Sequence, residues 1–508
     1  MKVDSREREY DARMPSEPVP LEVALASRQQ RFYADAGQEA FSGTVPFRLS
    51  TSRATARLVV HAAQAFAQRR GKRHVRLVDV GAGTGRLGYH ARLQAPDVRL
   101  VLTDASAAMC EALRAHPQLA GATVVHAAAT DFGAALACAD DEALVVVGTY
   151  LLDTLPHALM EAPMGRRAFV DDSGRFTFRS APLDAFTRAY VARLGHGRAF
   201  LPTGAFDFVR ALEAQLDGPA LLVLGDKVAS TTSAAREGER PRLVAHGAGA
   251  SVLVNLDALR GWLGWRGWTQ ARGGSDDFVV GATVLRGRCR LDGLFGELPH
   301  PLDVQARVTA LRNAHEVLPQ TRAREATALR RDDGVRDGEV PRLRRSDTST
   351  PGTGDGARGA GALGRKAVAP RRDELVPSLL ALEPDGDVLL ELSDALVDVA
   401  SRGVDEALRQ RLAEWLLEAA RTTFVLPADD VAFHAGRVLQ ALGFAGAAVA
   451  CFSESLARHG DADVTRLFRA TALLALEARA RALEDVDAVL GRSPAHEQAL
   501  ALRAAASR

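Results

Sequence analysis

Cysteine is scarce in this 508-residue chain, and its four copies, Cys110, Cys138, Cys289 and Cys451, are scattered with no Cys-x-x-Cys pair. That spacing supports neither a disulfide framework nor a zinc site, and it fits a reducing compartment. Aromatics make up only 6% of the residues, and neither sign of charge is in surplus, with 64 Lys plus Arg against 63 Asp plus Glu. A near-neutral chain presents no overall field for nucleic acid or a membrane surface, so a partner must be recognised locally. No uncharged apolar run reaches the roughly 18 residues of a membrane span. The start, Met1-Lys-Val-Asp-Ser-Arg-Glu-Arg-Glu, lacks the apolar core of a secretion signal. The 13 histidines show no metal-ligand spacing. The expectation is a cytoplasmic, metal-free protein of two or three domains, its length exceeding what one core accommodates.

What the chain does have is Val75-Arg-Leu-Val-Asp-Val-Gly-Ala-Gly-Thr-Gly85, a buried-strand pattern running into a glycine loop, with Asp79 two residues before the first glycine. Arg86-Leu-Gly-Tyr-His-Ala-Arg-Leu follows as a helix. Gly81, Gly83 and Gly85 thus occupy a strand-to-helix turn, where the backbone needs positive φ and close approach to a ligand. An amphipathic helix over 55–70 precedes this unit. Further strand candidates are 98–103, 122–126, 143–148, 220–225, 251–255 and 278–285, with helical patterns between most of them, which argues a parallel, doubly wound sheet. The last of these could return antiparallel at the edge.

Residues 320–373 break the pattern. They are rich in Arg and Asp, pass through Thr350-Pro-Gly-Thr-Gly-Asp-Gly-Ala-Arg-Gly-Ala-Gly, and hold almost no large apolar residue to offset the entropy of ordering. They read as a disordered linker. Their basic surplus has no interleaved aromatic residue to stack on bases, so nucleic acid is not expected as a partner. Beyond them the chain reads as helices. A 34-residue period from Asp429 puts Gly436, Leu439, Gly443, Ala448, Phe452 and Ser455 at places matched, from Asp463, by Ala470, Leu473, Ala482, Val486 and Val489, with Pro494 closing the second unit. On these residues the segment resembles the tetratricopeptide repeat. The resemblance implies hairpins whose first helices face a groove, with Phe433, His434, Arg437 and Gln440 placed to bind a protein or peptide.

Two cofactors compete for the glycine loop. Gly83-Thr-Gly-Arg-Leu-Gly88 satisfies G-x-G-x-x-G, with Asp104 standing 21 residues past Gly83 where a dinucleotide site would want an acid. However, Asp79 and Gly81 come first and give Asp-x-Gly-x-Gly-x-Gly. That pattern resembles motif I of the class I S-adenosylmethionine-dependent methyltransferases, in which an inserted seventh strand is also found. The resemblance implies a cofactor site made of Asp79, Gly81, Ala82, Gly83 and Gly85. It gives the ribose hydroxyls to Asp104 with Ala105, the adenine to Asp131 with Phe132, and includes Thr149. Leu152-Asp153-Thr-Leu-Pro156, off the end of the fourth strand, is similar to the MidA-like branch, which acts on protein arginine, although Gly148-Thr149-Tyr150 replaces the polar Asn or Asn-Glu that such enzymes usually carry there. Tyr150 and Asp153 are then candidates for positioning the nucleophile, with Asp153 as base, and His157 is a second candidate base. Phe47-Arg-Leu-Ser-Thr-Ser-Arg53 is placed to close over the cofactor.

The expected architecture is therefore an N-terminal segment (1–54), an α/β domain with a Rossmann-like seven-stranded sheet (55–319), the linker (320–373) and an all-α tetratricopeptide-type domain (374–508). The expected function is methyl transfer from S-adenosylmethionine to a protein held by the repeats. The alternative is a repeat adaptor whose first domain is degenerate or only senses the cofactor.

Overall fold

A computed structural model describes residues 18–37, 40, 48–171, 174–238, 242–246, 249–274, 278–296, 298–313, 374–426 and 429–507. The linker expected over 320–373 lies outside the described residues. In chain order come β1 (Val19–Pro20), α1 (Leu21–Ala36), α2 (Arg53–Arg69), β2 (His74–Val80), α3 (Arg86–Gln94), β3 (Arg99–Asp104), α4 (Ala107–Ala115), β4 (Thr123–His126) and β5 (Glu142–Thr149). They are followed by β6 (Ala158–Ala162), β7 (Arg166–Val170), β8 (Phe176–Ser180), α5 (Ala185–Leu194), β9 (Gly197–Leu201), α6 (Thr203–Gln215) and β10 (Ala220–Ala229). The short β11 (Arg236–Glu237), β12 (Leu243–His246), β13 (Gly249–Val252) and β14 (Val254–Asn255) lead to α7 (Leu256–Trp265), β15 (Gln270–Gly274), β16 (Phe278–Leu285) and a helix α8 over 301–313.

The main sheet has the strand order β15-β16-β10-β5-β2-β3-β4, with β14 added beside the end of β10. Strands β4, β3, β2, β5 and β10 are mutually parallel along that path. They can be, because their centres are uninterrupted apolar runs: Ala143-Leu-Val-Val-Val147 is wholly buried, as strands covered on both faces require. The antiparallel return expected at 278–285 is present, not at the edge as expected but inserted between β10 and the edge strand β15, pairing Ala220 with Leu285 through Lys227 with Phe278. The strand expected over 251–255 is not its neighbour. That stretch breaks into β13 and β14, and β15 takes the place, because Asn255 turns the chain into α7 by accepting a hydrogen bond from the Ala258 N–H at 3.0 Å.

Helix α2 starts where Ser52 Oγ accepts the Thr55 N–H at 3.2 Å, an ordinary N-cap. It buries Ala56, Val59, Ala63 and Phe66 in the core on one face of the sheet. A second sheet was not anticipated by the sequence reading: β6 to β9, which lie between β5 and β10, join β1 and β11 in an antiparallel sheet ordered β1-β7-β6-β9-β11, with β8 on β7. Its apolar residues, Leu159, Ala168 and Phe200, pack with Leu21 at the start of α1. The helix that carries part of the site is thereby anchored at its N-terminus.

The chain divides into two compact units, the first comprising 1–305 together with 385–387 and 422–430, the second 306–384, 388–421 and 431–508. Within the first unit, Phe424 stacks on His116 at 4.4 Å and lies 5.4 Å from Tyr89. Asp387 pairs with the buried guanidinium of Arg86 and with Arg48 at 2.8 Å. The first unit is therefore not continuous in sequence, unlike the single stretch 55–319 expected for it.

The second unit is helical, with α9 (Leu375–Leu380), α10 (Gly386–Ser401) from Val388 on, α11 (Glu406–Thr422) up to Arg421, α12 (Val431–Ala441), α13 (Ala445–His459), α14 (Asp463–Ala475), α15 (Arg479–Arg492) and α16 (Glu497–Ala506). Helices α12 to α16 pack in succession, each on the next. Of the positions picked out by the 34-residue period, Leu439, Ala448, Phe452, Ala470, Leu473, Ala482, Val486 and Val489 are buried, whereas Gly443 and Pro494 are exposed. Gly436 shows why a small residue is needed there, since a Cβ on it would lie 2.6 Å from the Phe452 ring. Phe433 is engaged within the unit, 5.5 Å from the Phe468 ring and 6.0 Å from that of Phe452. Arg437 lies over Phe433 and pairs with Asp394 at 2.9 Å. His434 and Gln440 are half-buried beside them.

Candidate functional site

A cavity of about 630 Å³ opens at the carboxyl ends of β2, β3 and β5, the edge at which open α/β sheets bind ligands. Its volume lies within the range of small-molecule sites. The floor is the glycine loop. Gly81, Gly83 and Gly85 have φ of 67°, 53° and 78°, so all three sit in the left-handed region that glycine enters without penalty. Their tasks differ. Gly81 and Gly83 line the cavity with Ala82, whereas Gly85 caps α3 and faces the core, where a Cβ would lie 2.5 Å from Leu119 and 2.7 Å from Leu113. Gly85 is thus a packing glycine and not a contact of the cavity.

Two carboxyls stand at the ends of adjacent strands. Asp79 lines the cavity, is 2% exposed, and its Oδ2 has no hydrogen-bond partner among the described residues. Burial, with the Asp104 carboxyl nearby, pushes its pKa up to about 7. Asp104 accepts the Gly83 N–H at 3.1 Å on one oxygen and the Ser106 N–H at 2.9 Å on the other. A carboxylate has about four lone-pair positions, so capacity remains for a ligand. Ser106, not Asp104, caps α4 by accepting from the Met109 N–H at 3.3 Å, which leaves Asp104 available to the cavity. Ala105, Ser106 and Met109 continue this wall.

The end expected to hold adenine is displaced by a few residues. Asp131 is exposed, and Phe132 is fully buried against Phe208 at 5.8 Å. Neither lines the cavity; residues 127–130 do. The reason is that Gln215 Oε1 accepts the Phe132 N–H at 3.0 Å, turning the chain inward and seating the ring in the core.

The turn after β5 is held by Asp226. Its Oδ2 accepts the Leu152 N–H at 2.8 Å and the Asp153 N–H at 3.2 Å, and its Oδ1 accepts the Lys227 N–H at 2.8 Å. The preceding residue, Tyr150, has φ of 52°, a strained setting for a large side chain, and its N–H donates to the Gly225 carbonyl at 2.9 Å. Thr149 and Tyr150 line the cavity. The Tyr150 phenol is held protonated by burial and by the nearby Asp226 and Asp153 carboxyls.

Asp153 does not line the cavity. It is 6% exposed, hydrogen-bonded to Ser251, and set against Asp226. Burial raises the pKa of both carboxyls, so the pair retains a proton. His157 is also buried, with Nε2 2.8 Å from the Leu152 carbonyl oxygen, and burial lowers its pKa to about 4. A neutral, enclosed imidazole is not a base for the cavity, which corrects the expectation for His157.

The opposite wall is formed by residues the sequence reading did not name. Ala26, Gln29, Gln30, Tyr33 and Ala34 come from one face of α1. Ser50 and Thr51 also line the cavity, within the segment expected to cover the cofactor; residues 41–47 lie outside the described residues. The available signal was the row Leu21, Leu25, Gln29, Tyr33, where a glutamine continues an i, i+4 stripe that begins apolar.

No known family's sequence profile matches the chain, and no curated protein matches it in sequence. Solved structures do. A COG1565 superfamily member from Burkholderia thailandensis bound to S-adenosyl-homocysteine is 16% identical, covers 58% of this chain and 98% of its own, and superposes with a TM-score of 0.36. The plantazolicin methyltransferase BpumL in complex with S-adenosylhomocysteine is 11% identical over 53% of this chain and 96% of its own, with a TM-score of 0.32. The 1,6-didemethyltoxoflavin-N1-methyltransferase of B. thailandensis, with substrate and S-adenosylhomocysteine bound, is 12% identical over 54% and 94%, with a TM-score of 0.27. At such identities and scores, the chemistry of this chain has to be argued from its own cavity.

Proposed function

We propose that the first unit binds S-adenosylmethionine and transfers its methyl group to an acceptor in the same cavity. The observation that carries this reading is Asp79: a buried carboxyl with an orphaned oxygen, beside a glycine loop in left-handed conformation and one strand from Asp104. The residues fit the cofactor. Asp79 would take an ammonium, Gly81 and Gly83 leave room for a chain against the backbone, and the free lone pairs of Asp104 suit a pair of ribose hydroxyls. The insertion of β16 between β10 and β15 supports the class I reading of the sheet. When bound, the sulfonium supplies an already activated methyl group.

The protein's own work is then orientation and exclusion of water. Asp226 holds the turn after β5 and the Gly225 carbonyl holds the Tyr150 backbone, so Tyr150 joins the cavity wall with a phenol that burial keeps protonated, able to donate a hydrogen bond but not to act as a base. Asp153 acts behind this surface, through the turn, and not on the acceptor. We further propose that the acceptor belongs to a protein delivered by the repeats of the second unit, whose first helices carry Arg437 and the exposed Val464. A guanidinium acceptor, as the MidA-like resemblance implies, is the narrower form of this reading.

The test uses the full chain. Calorimetry should give micromolar binding of S-adenosylhomocysteine and none of NAD. Methyl-labelled S-adenosylmethionine, incubated with a lysate of the source cell, should label a protein fraction, and Arg437→Ala combined with Val464→Asp should remove that label without changing cofactor affinity. Cofactor binding with no labelled product in any fraction would favour the adaptor reading.

A further inference from the structure

A nucleophile that carries its proton needs a base before it can take a methyl group, and the lining of the cavity offers none. Among the described residues that line it there is no Lys, Arg, His, Glu or Cys, and the only carboxyls are Asp79 and Asp104, both given to the cofactor by the methyl-transfer reading. The two phenols of the lining, Tyr33 and Tyr150, are held protonated by burial, with the Asp153 and Asp226 carboxyls adding to the effect. Polar groups on these walls are engaged within the protein: the Gln29 side chain hydrogen-bonds the Tyr33 hydroxyl, and the Thr154 hydroxyl donates to the Leu151 carbonyl at 2.7 Å. Asp153 and His157 are buried outside the lining. Lys227 Nζ lies 5.1 Å from the Tyr150 ring centroid, a cation beside the wall that this ring forms.

These surroundings sort the common methyl acceptors. A guanidinium keeps its proton to a pKa above about 12 and an ammonium to about 10.4, so each would enter as a cation without a free lone pair, with no group in the cavity to remove the proton. A carboxylate has the lone pair, but it would face Asp79 and Asp104 with no cation in the lining. An aromatic ring nitrogen of the imidazole kind has an ordinary pKa near 6.5. Above that pH it is neutral and presents a lone pair with no proton to lose first. The flat, apolar faces of such a ring also suit walls built from Tyr33, Tyr150, Leu151, Leu155 and Pro156.

We propose that the methyl acceptor of this site is a neutral sp² nitrogen of an aromatic ring, which in a protein is the imidazole of histidine. The nitrogen lone pair forms the new N–C bond as the C–S bond breaks, with the electron pair of that bond going to sulfur and the positive charge to the ring; a ring N–H proton then leaves to water. The assignment rests on the methyl-transfer reading and narrows it, putting a ring nitrogen in place of the guanidinium.

The test starts with binding, in the full chain saturated with S-adenosylhomocysteine and read by ligand-observed NMR. At about pH 8.5, 4-methylimidazole should bind roughly tenfold more tightly than methylguanidinium or acetate, each of which brings an unpaired charge into the site. Leu155→Asp adds a carboxylate to the wall and should turn the preference toward methylguanidinium, while S-adenosylhomocysteine affinity stays within about twofold of the parent and so reports an intact fold. With methyl-labelled S-adenosylmethionine at saturation, replacing 4-methylimidazole by the less basic benzimidazole should move the pH profile of transfer to lower pH, because the acceptor and not a protein base sets it. In a lysate of the source cell, hydrolysis of the labelled product should give methylhistidine if the ring belongs to a protein, or a labelled low-mass heterocycle if it is free. Labelled arginine or lysine overturns the proposal. So does a neutral ring that fails to bind the loaded protein or binds no better than the ions, a preference unchanged in Leu155→Asp that still binds S-adenosylhomocysteine, or a pH profile that stays fixed when the acceptor changes. Failure of the parent chain to bind S-adenosylhomocysteine at all would remove the methyl-transfer reading itself.

Discussion

Replacing Asp79 by Asn should push ligand affinity and apo stability in opposite directions, and the structure gives both magnitudes. The carboxyl is buried with one oxygen unpartnered, and its pKa is raised from the ordinary 3.8 to about 7. A carboxyl whose pKa is higher folded than unfolded binds more protons in the folded state between those two values. Its contribution to stability is therefore lost as pH rises from about 4 to about 7, and the penalty is complete above that. Three pH units correspond to roughly 4 kcal/mol. Asp79→Asn removes the ionisation, so the variant without ligand should melt higher than the parent at pH 8, with the difference shrinking through pH 5 and gone near pH 4. Binding behaves in the reverse way. If the ionised carboxylate receives an ammonium, S-adenosylhomocysteine affinity in the parent should fall as pH drops below about 7, approaching tenfold per unit. In the variant it should be flat and, at pH 8, weaker by roughly 10- to 150-fold, the range for a charge-assisted hydrogen bond. Calorimetry between pH 5.5 and 8 and thermal melts between pH 4 and 8 measure the two quantities. Equal affinity in parent and variant, or a parent affinity that ignores pH, would refute the role given to Asp79.

Asp226→Ala should destabilise the apo protein by about 2–4 kcal/mol, because three backbone N–H groups lose their acceptor, and chemical denaturation would show it. In the second unit, Gly436→Leu should cost about 1–3 kcal/mol by overpacking, since even its Cβ would fall 2.6 Å from Phe452; pairing it with Phe452→Ala should recover part of the loss. Phe424→Ala should lower the melting temperature and weaken S-adenosylhomocysteine binding only slightly, as a core aromatic ring costs about 3–5 kcal/mol to truncate but lies away from the cavity. His157→Asn should leave any methyl transfer with its pH profile unchanged, and a shifted profile would restore His157 as a base.

Much of the sheet was legible because its strands are buried on both faces and so read as unbroken apolar runs, and the glycine loop was legible because its residues do something no other type does at positive φ. The antiparallel sheet between β5 and β10 was hidden for the complementary reason. Arg166-Arg-Ala-Phe-Val and Phe176-Thr-Phe-Arg-Ser are half-exposed strands whose alternation is short and broken by charges. Site residues followed the same division. Asp79 and Asp104 stand at strand ends, where position in sequence nearly determines position in space. Asp153 and His157 come after a turn, and a strand end predicts only where a turn begins. Which way it folds is decided by Asp226, 73 residues further on, whose carboxyl gathers the N–H groups of Leu152 and Asp153 and tucks the following side chains away from the cavity.

The same limit explains why the domain boundary had to move. Composition separates a segment that cannot bury itself from one that can, and on that basis 320–373 divides the chain. It says nothing about short apolar pieces that leave a helical region and complete a core elsewhere. Thr422-Thr-Phe-Val-Leu426 has no period to read, yet Phe424 and Leu426 belong to the same core as the α2 face and the sheet, and the Gln118 Nε2 group donates to the Thr423 carbonyl at 2.8 Å while its Oε1 accepts the Val425 N–H at 2.7 Å. Such two-sided pairing of a side-chain amide with an extended backbone treats the segment as one more strand edge. A fragment ending at residue 319 would leave that core open and Arg86 without its carboxylate partner. Cofactor binding by this protein is therefore to be measured on the full chain, where the first unit holds all of its parts.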